Sequence, residues 1–281
     1  MAGEEHVAGA AEGKLDIIGH LLDHHYLEVP YFNAHHFFDG KIDLPHFAPF
    51  ELYGIPIDMS ITRHVVMMWV ASALLIVTMM SAFRRPGGVP TGLGNFLETI
   101  IIFLRDEVIM PIMGDSGKTY MPYLLTTFFF ILYCNMLGLI PYTATATGNI
   151  SVTAALALIA FVVTQGAGIV NNGFFGHWKN IVPSGLPAPL LIIMIPIEIM
   201  GMLAKPFALC IRLFANMIAG HIAILVFLGL IIMLQSYLVA PASVALAAAL
   251  YMMEIFIGFI QAFIFTVLTT LFVSMAAHPE H

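Results

Sequence analysis

Five titratable residues stand in an apolar region where each is costly. Between 189 and 277 the formal charges are Glu198, Lys205, Arg212 and Glu254, joined by His221. A charge at the centre of a bilayer costs roughly 2.5–3.5 kcal/mol on insertion scales, so such residues mark a pathway or an ion pair. Glu198, Lys205 and Arg212 follow one another at seven-residue steps. Successive members drift by only about 20° around a helix, so all three share a face. Asn216, four residues after Arg212, adjoins that face. His221 lies nine residues beyond Arg212, about 900° of helical turn, and points to the opposite side. Further on, Glu254 and Gln261 are seven apart and share a face of their own. Glu198 and Lys205 can equally be snorkelling groups near an interface.

The element that positions these residues is a helical hairpin. A helix over 189–235 would measure about 70 Å and one over 242–277 about 50 Å, against a hydrocarbon core of about 30 Å. Either each run breaks into two spans, or both lie steeply tilted as an antiparallel pair joined at "SYLVAPAS", 236–243. The pairs Arg212 with Gln261 and His221 with Glu254 are both centred within about a residue of position 237. A hairpin therefore puts Arg212 level with Gln261, and His221 level with Glu254 about 10–14 Å nearer the turn. Two broken runs predict no such coincidence, which favours the hairpin.

The rest of the chain fits a membrane setting. Of its 281 residues, 60% are hydrophobic and only 10% charged, where soluble domains average about 25% charged. Long unbroken apolar runs, rather than ten-residue alternation, select helices over a barrel. The expected class is an all-α polytopic membrane protein with about five membrane helices. The spans fall at 61–83, 120–140, 149–171, 189–235 and 242–277. Residues 93–112 carry Glu98, Arg105, Asp106 and Glu107 among apolar residues and predict an amphipathic interfacial helix. Residues 1–60 are polar and histidine-rich and read as an extramembrane segment with at most a short helix; 61–281 form the membrane domain. Arg84, Arg85, Arg105, Lys118 and Lys179 place their links in the cytoplasm, with the N-terminal segment outside and the C-terminus cytoplasmic.

Asn135 and Asn149 are equidistant from the link "PYTATATGN" and predict either a polar layer at one depth or a helix–helix hydrogen bond. Cys134 and Cys210 lie in apolar runs and read as small buried hydrophobes. His20 and His24 are four apart, but no HExxH or CxxC pattern accompanies them, so no metal site is expected. No nucleotide loop, nucleophile elbow or basic run occurs, so no cofactor, nucleic acid or covalent chemistry is expected. The start lacks a basic region followed by an apolar core, so no cleavable signal peptide is expected.

"KPFALCIRLFANMIAGH" and "IGFIQAFIFTVLTTLFVSMA" resemble the two signature segments of the subunit a family of F-type ATP synthases. "NMLGLIP", "TGNISVTAAL" and "VPTGLGNFLETIIIFLRDEV" are similar to further family segments, and the likeness runs from about 60 to 277. The resemblance implies a non-catalytic stator subunit in a bacterial inner membrane, whose last two helices tilt against a ring of c subunits. Peripheral-stalk b subunits, the remaining synthase subunits, lipid and protons are the other implied partners. It implies that Arg212 faces the ring carboxylate between two offset half-channels, with Asn216 and Gln261 beside it and Glu198 near the cytoplasmic outlet. His221 and Glu254 match an acid/histidine pair of the outer half-channel, exchanged relative to some members. An aspartate that some members carry at the outer end of the second span is Gly138 here. Outside this family, a self-contained secondary transporter holding an anionic substrate on Arg212 is the alternative; it predicts an internal duplication, and none is apparent.

Overall fold

The computed structural model describes residues 26–29, 40–45, 50–52, 55–57, 60–83, 92–140, 143, 145–179, 188–234 and 240–278. The histidine pairs around 20–25 and 35–36, the arginines at 84 and 85, and the first half of the turn at 236–243 lie outside them.

Among the described residues, the regular structure of the membrane domain is helical throughout. Helix α1 spans Arg63–Ala82, α4 Gly117–Gly138 and α5 Ile150–Asn172. A short helix α6, Phe174–Lys179, leads to the two long ones, α7 over Ala188–Leu234 and α8 over Ala240–Ala277. By length and composition α1, α5, α7 and α8 can each cross a bilayer. Helix α4, with 22 residues, also has the length, about 33 Å. The long helices are uninterrupted: 47 residues in α7 and 38 in α8, about 70 and 57 Å. Pro196 and Pro206 lie inside α7. Each removes one backbone donor, yet the helix runs through both.

Residues 93–116 are less regular. Helix α2, Leu93–Phe103, passes into a π-helical turn over Leu104–Ile109, then α3, Met110–Met113, and a single 3-10 turn. The π-helical turn coincides with the charged stretch: Arg105 forms an exposed two-bond pair with Asp106, while Leu104, Val108 and Ile109 are buried. Asp115 accepts from Lys118 at 2.8 Å, which holds that carboxyl below its usual range.

The N-terminal segment departs from expectation. Expected to hold at most a short helix, it forms, among its described residues, two antiparallel ladders, β1 Tyr26–Val29 with β2 Gly40–Asp43, and β3 Phe50–Leu52 with β4 Ile55–Ile57. The alternating "YLEV" and "GKID" suit a period of two better than 3.6.

The core gathers on α4 and α8. Leu124, Phe128 and Ile131 of α4 are fully buried, and Phe128 meets Phe259 of α8 edge-on at 5.8 Å between centroids. Helix α7 contributes Leu209, Leu213 and Met217, spaced at four, and so buries one stripe. Helix α8 buries a long face of small and polar residues that includes Glu254, Gly258, Gln261 and Thr266. Its threonines 266, 269 and 270 donate to carbonyls four residues back, so their hydroxyls need no outside partner. Without a hydrophobic drive between helices in lipid, small residues that admit close backbone approach hold such an interface.

Candidate functional site

The polar residues fall into three groups along the hairpin. In the first, His221 Nδ1 lies 3.4 Å from Glu254 Oε1 across α7 and α8. Glu254 is almost wholly buried at 1% exposure, and among the described residues neither carboxyl oxygen accepts a hydrogen bond. His221 is the ionisable side chain that faces this buried acid across the two helices. Gly220 makes the approach possible: a Cβ there would stand 2.6 Å from Glu254 Oε1.

In the second group, about one to two turns along α7, Asn216 Nδ2 donates to Gln261 Oε1 at 2.7 Å. The hairpin thus joins Gln261 to Asn216, and Arg212 turns outward. Arg212 is exposed, and among the described residues it forms no hydrogen bond or ion pair. Its neighbours Leu209 and Leu213 are buried, so the guanidinium sits on the rim of a helix whose other face packs into the bundle.

The third group lies beyond Arg212 toward the start of α7. Glu198 and Lys205, two turns apart on one face, line a cavity of about 140 Å³ together with Gln165 and His177. Lys205 Nζ stands 5.4 Å from the ring centroid of Phe272, a cation–π distance. His177 shares a hydrogen bond of 2.8 Å with Gln165 Oε1 and is buried against Gly168. Burial pushes its imidazole below the ordinary value near 6.5.

Of the two readings for Asn135 and Asn149, a polar layer or a helix–helix hydrogen bond, the second is seen at Asn135, and Asn149 bonds at the start of its own helix. Asn149 caps α5, its side-chain oxygen accepting from Ser151 N at 2.8 Å. Asparagine is favoured at that position because it satisfies a helix-start donor. Asn135 instead donates to Gly258 O at 2.9 Å, a helix–helix bond, and accepts from Thr147 Oγ1 at 2.7 Å.

Several polar residues of the site escaped the sequence patterns. The described end of the link after α4 packs inward: Thr145 and Thr147 are both buried. Thr145 Oγ1 contacts His221 Nε2 and also donates to Gly138 O at 3.2 Å. His64, at the start of α1, bonds through Nδ1 to Thr145 O at 3.2 Å. Tyr251 donates to Leu139 O at 2.9 Å and ties α8 to the end of α4. The signal available was "TATAT", hydroxyls at every second residue between small spacers, beside the predicted polar depth.

Comparison with known proteins agrees with this architecture. Residues 65–274 match the family model of the ATP synthase A chain. The chain is 45% identical over 275 residues to "ATP synthase subunit a" of Chloroherpeton thalassium, covering 95% of this chain and 78% of that protein. It is 46% identical over 268 residues to "ATP synthase subunit a 2" of Chlorobium luteolum, covering 93% and 76%. Against "ATP synthase subunit a" of an Anaeromyxobacter species it is 42% identical over 303 residues, covering 98% and 74%. The matched span takes in every helix that carries Asn135, Glu198, Arg212, Asn216, His221, Glu254 and Gln261, and the chain belongs to the ATP synthase A chain family.

Proposed function

We propose that this chain is the proton-translocating stator subunit of a rotary ATP synthase, working against a ring of c subunits and held by peripheral-stalk b subunits. The observation that carries the proposal is Arg212: an exposed guanidinium on a 47-residue apolar helix, with no counter-charge among the described residues. In lipid such a cation requires an acceptor from outside the chain, and a carboxylate on a neighbouring subunit supplies it.

The groups on either side supply the paths. His221 and Glu254 receive protons from the outer face; histidine exchanges them near neutrality. Asn216 and Gln261 mark the level where the path meets the passing carboxylate. The cavity of Glu198, Lys205 and His177 serves release on the cytoplasmic side. Arginine is not deprotonated in a protein. Arg212 therefore holds the carboxylate ionised as it passes and repels a proton moving straight from inlet to outlet. A proton from the inlet neutralises the carboxylate, which then turns into lipid and releases the proton after nearly a full rotation. Each charge moved through 100 mV contributes about 2.3 kcal/mol. ATP chemistry resides on other subunits, and this one is not catalytic. The chain sits in a bacterial inner membrane with its N-terminus outside and its C-terminus in the cytoplasm, the orientation its basic links favour.

Arg212→Ala in the reconstituted complex tests the proposal. Proton-driven ATP synthesis is expected to be lost and the vesicles to become passively leaky to protons. Retained coupling between proton flow and synthesis would overturn it.

A further inference from the structure

The contacts of His221 fix more than its distance to Glu254. We propose that Thr145, seated against Gly138 and braced by His64, is a positioning residue that holds His221 in the tautomer protonated on Nε2. Nδ1 is then the nitrogen that exchanges protons with Glu254. This rests on the relay role given to His221 and Glu254 above.

A carbonyl oxygen only accepts, so the contact between Thr145 Oγ1 and Gly138 O commits the one hydroxyl hydrogen of Thr145 to that carbonyl. What remains to the hydroxyl is acceptance. His221 Nε2, in contact with the same oxygen, must then be the donor. A neutral imidazole carries one N–H, so Nδ1 presents its lone pair toward Glu254 Oε1 at 3.4 Å. The opposite tautomer would leave two lone pairs facing each other at Thr145 and would commit the Nδ1 proton to the acid. With Nδ1 open, a proton arriving on Glu254 passes to Nδ1 to give imidazolium and a carboxylate, and the reverse step restores both. One O–H bond breaks as one N–H bond forms, and no other reactant is needed.

Two features build the seat. A Cβ on residue 138 would stand 2.4 Å from Thr145 Oγ1 and 2.5 Å from its methyl carbon, so only glycine admits the threonine. His64, itself 4% exposed, donates from Nδ1 to Thr145 O and so anchors the turn to α1. The side-chain space at position 138 is taken by a hydroxyl and a methyl group from the following turn.

The test uses the whole synthase in proteoliposomes, with nitrogen-15 NMR of labelled histidine and ATP synthesis under an imposed proton gradient as readouts. The His221 signal, identified as the one missing in His221→Gln, is expected to show the Nε2–H form. An Nδ1–H form in the unmodified complex would overturn the proposal without any variant at Thr145. Thr145→Val, which keeps the shape and loses the acceptor, is expected to shift the signal toward Nδ1–H and cut synthesis at least about tenfold. Thr145→Ser should keep both within about twofold of the parent. If Val and Ser behave alike, the hydroxyl has no such role. Glu254→Gln separates the two levels: full synthesis there would sink the relay itself, whereas loss there with an unaffected Thr145→Val would sink only the tautomer assignment.

Discussion

A single methyl group placed at Gly220 should uncouple the inlet while leaving the fold intact. Gly220 precedes His221 on α7, and a Cβ there would lie 2.6 Å from Glu254 Oε1, 2.8 Å from Cδ and 3.1 Å from Cγ. Ordinary contact begins at 3.4 Å, so the carboxyl must withdraw by about 0.8 Å. Oε1 is also the oxygen that faces His221 Nδ1, so a shift of that oxygen disturbs the His221–Glu254 contact. The pair stands 3.4 Å apart in the parent, already past an ordinary hydrogen bond, so a displacement of that size leaves it misaligned for proton transfer. A misplacement near 1 Å can cost about a hundredfold in a proton-transfer step, so Gly220→Ala is expected to lower proton-driven ATP synthesis by about ten- to a hundredfold. The fold has less reason to suffer. Overpacking costs about 1–3 kcal/mol, and alanine regains up to about 1 kcal/mol over glycine inside a helix. Gly201→Ala on the same helix is the control, since nothing lies within 4 Å of its added Cβ. Shortening the acid in Gly220→Ala with Glu254→Asp should recover part of the rate. Synthesis at the parent rate in an assembled Gly220→Ala complex would refute the steric reasoning and, with it, the need for close His221–Glu254 approach.

Other expectations follow from the same geometry. The exchange His221→Glu with Glu254→His should retain partial synthesis while each single change does worse; a double variant no better than the singles counts against a relay. Asn135→Leu should destabilise the subunit by about 1–3 kcal/mol in detergent unfolding, because the buried Thr147 hydroxyl loses its acceptor. Adding Thr147→Val should return part of that loss, and strict additivity of the two changes would deny the contact. Burial holds the folded-state pKa of His177 below the ordinary 6.5, so the unfolded chain binds more protons as pH falls past that value. Its stability contribution is therefore full above about 6.5 and lost as pH drops from there toward the folded-state value. His177→Gln should narrow the difference in thermal stability between about pH 7.5 and 5.5; an unchanged difference excludes His177 as a source.

The hairpin was legible because two pairs of polar residues had nearly one centre: His221 faces Glu254 as that register requires, whereas Gln261 bonds Asn216, one turn from its expected counterpart Arg212. Apolar length marked the long helices, and Pro196 and Pro206 did not divide α7. What the residues could not disclose was the inward packing of the end of the link after α4. Periodicity speaks only where a chain repeats, and a turn has no repeat to show which way it faces. Thr145 and Thr147 are neutral, so no charge cost flagged them, and His64 stood at a span's start where an exposed residue is ordinary. Asn149 marks a related limit: equal distance from a turn speaks to depth, and the capping need of α5 decides where its side-chain oxygen points.

Exposure along α7 adds an asymmetry that spacing alone only implied. Nine residues, about 14 Å of rise, separate Arg212 from His221. Over that distance the polar face passes from the outside of the bundle to its interior: Arg212 is exposed, whereas His221 is half-buried and Glu254 sealed. The cavity of Glu198 and Lys205 begins two turns on the other side of Arg212. Glu254, Asn216 and Gln261 follow one another between the two long helices, and the next polar side chain along α7 toward the far cavity is a fixed cation. On the function proposed above, two polar regions offset along one helix, with a permanent positive charge between them, favour passage by way of an external carboxylate over passage along the helix itself.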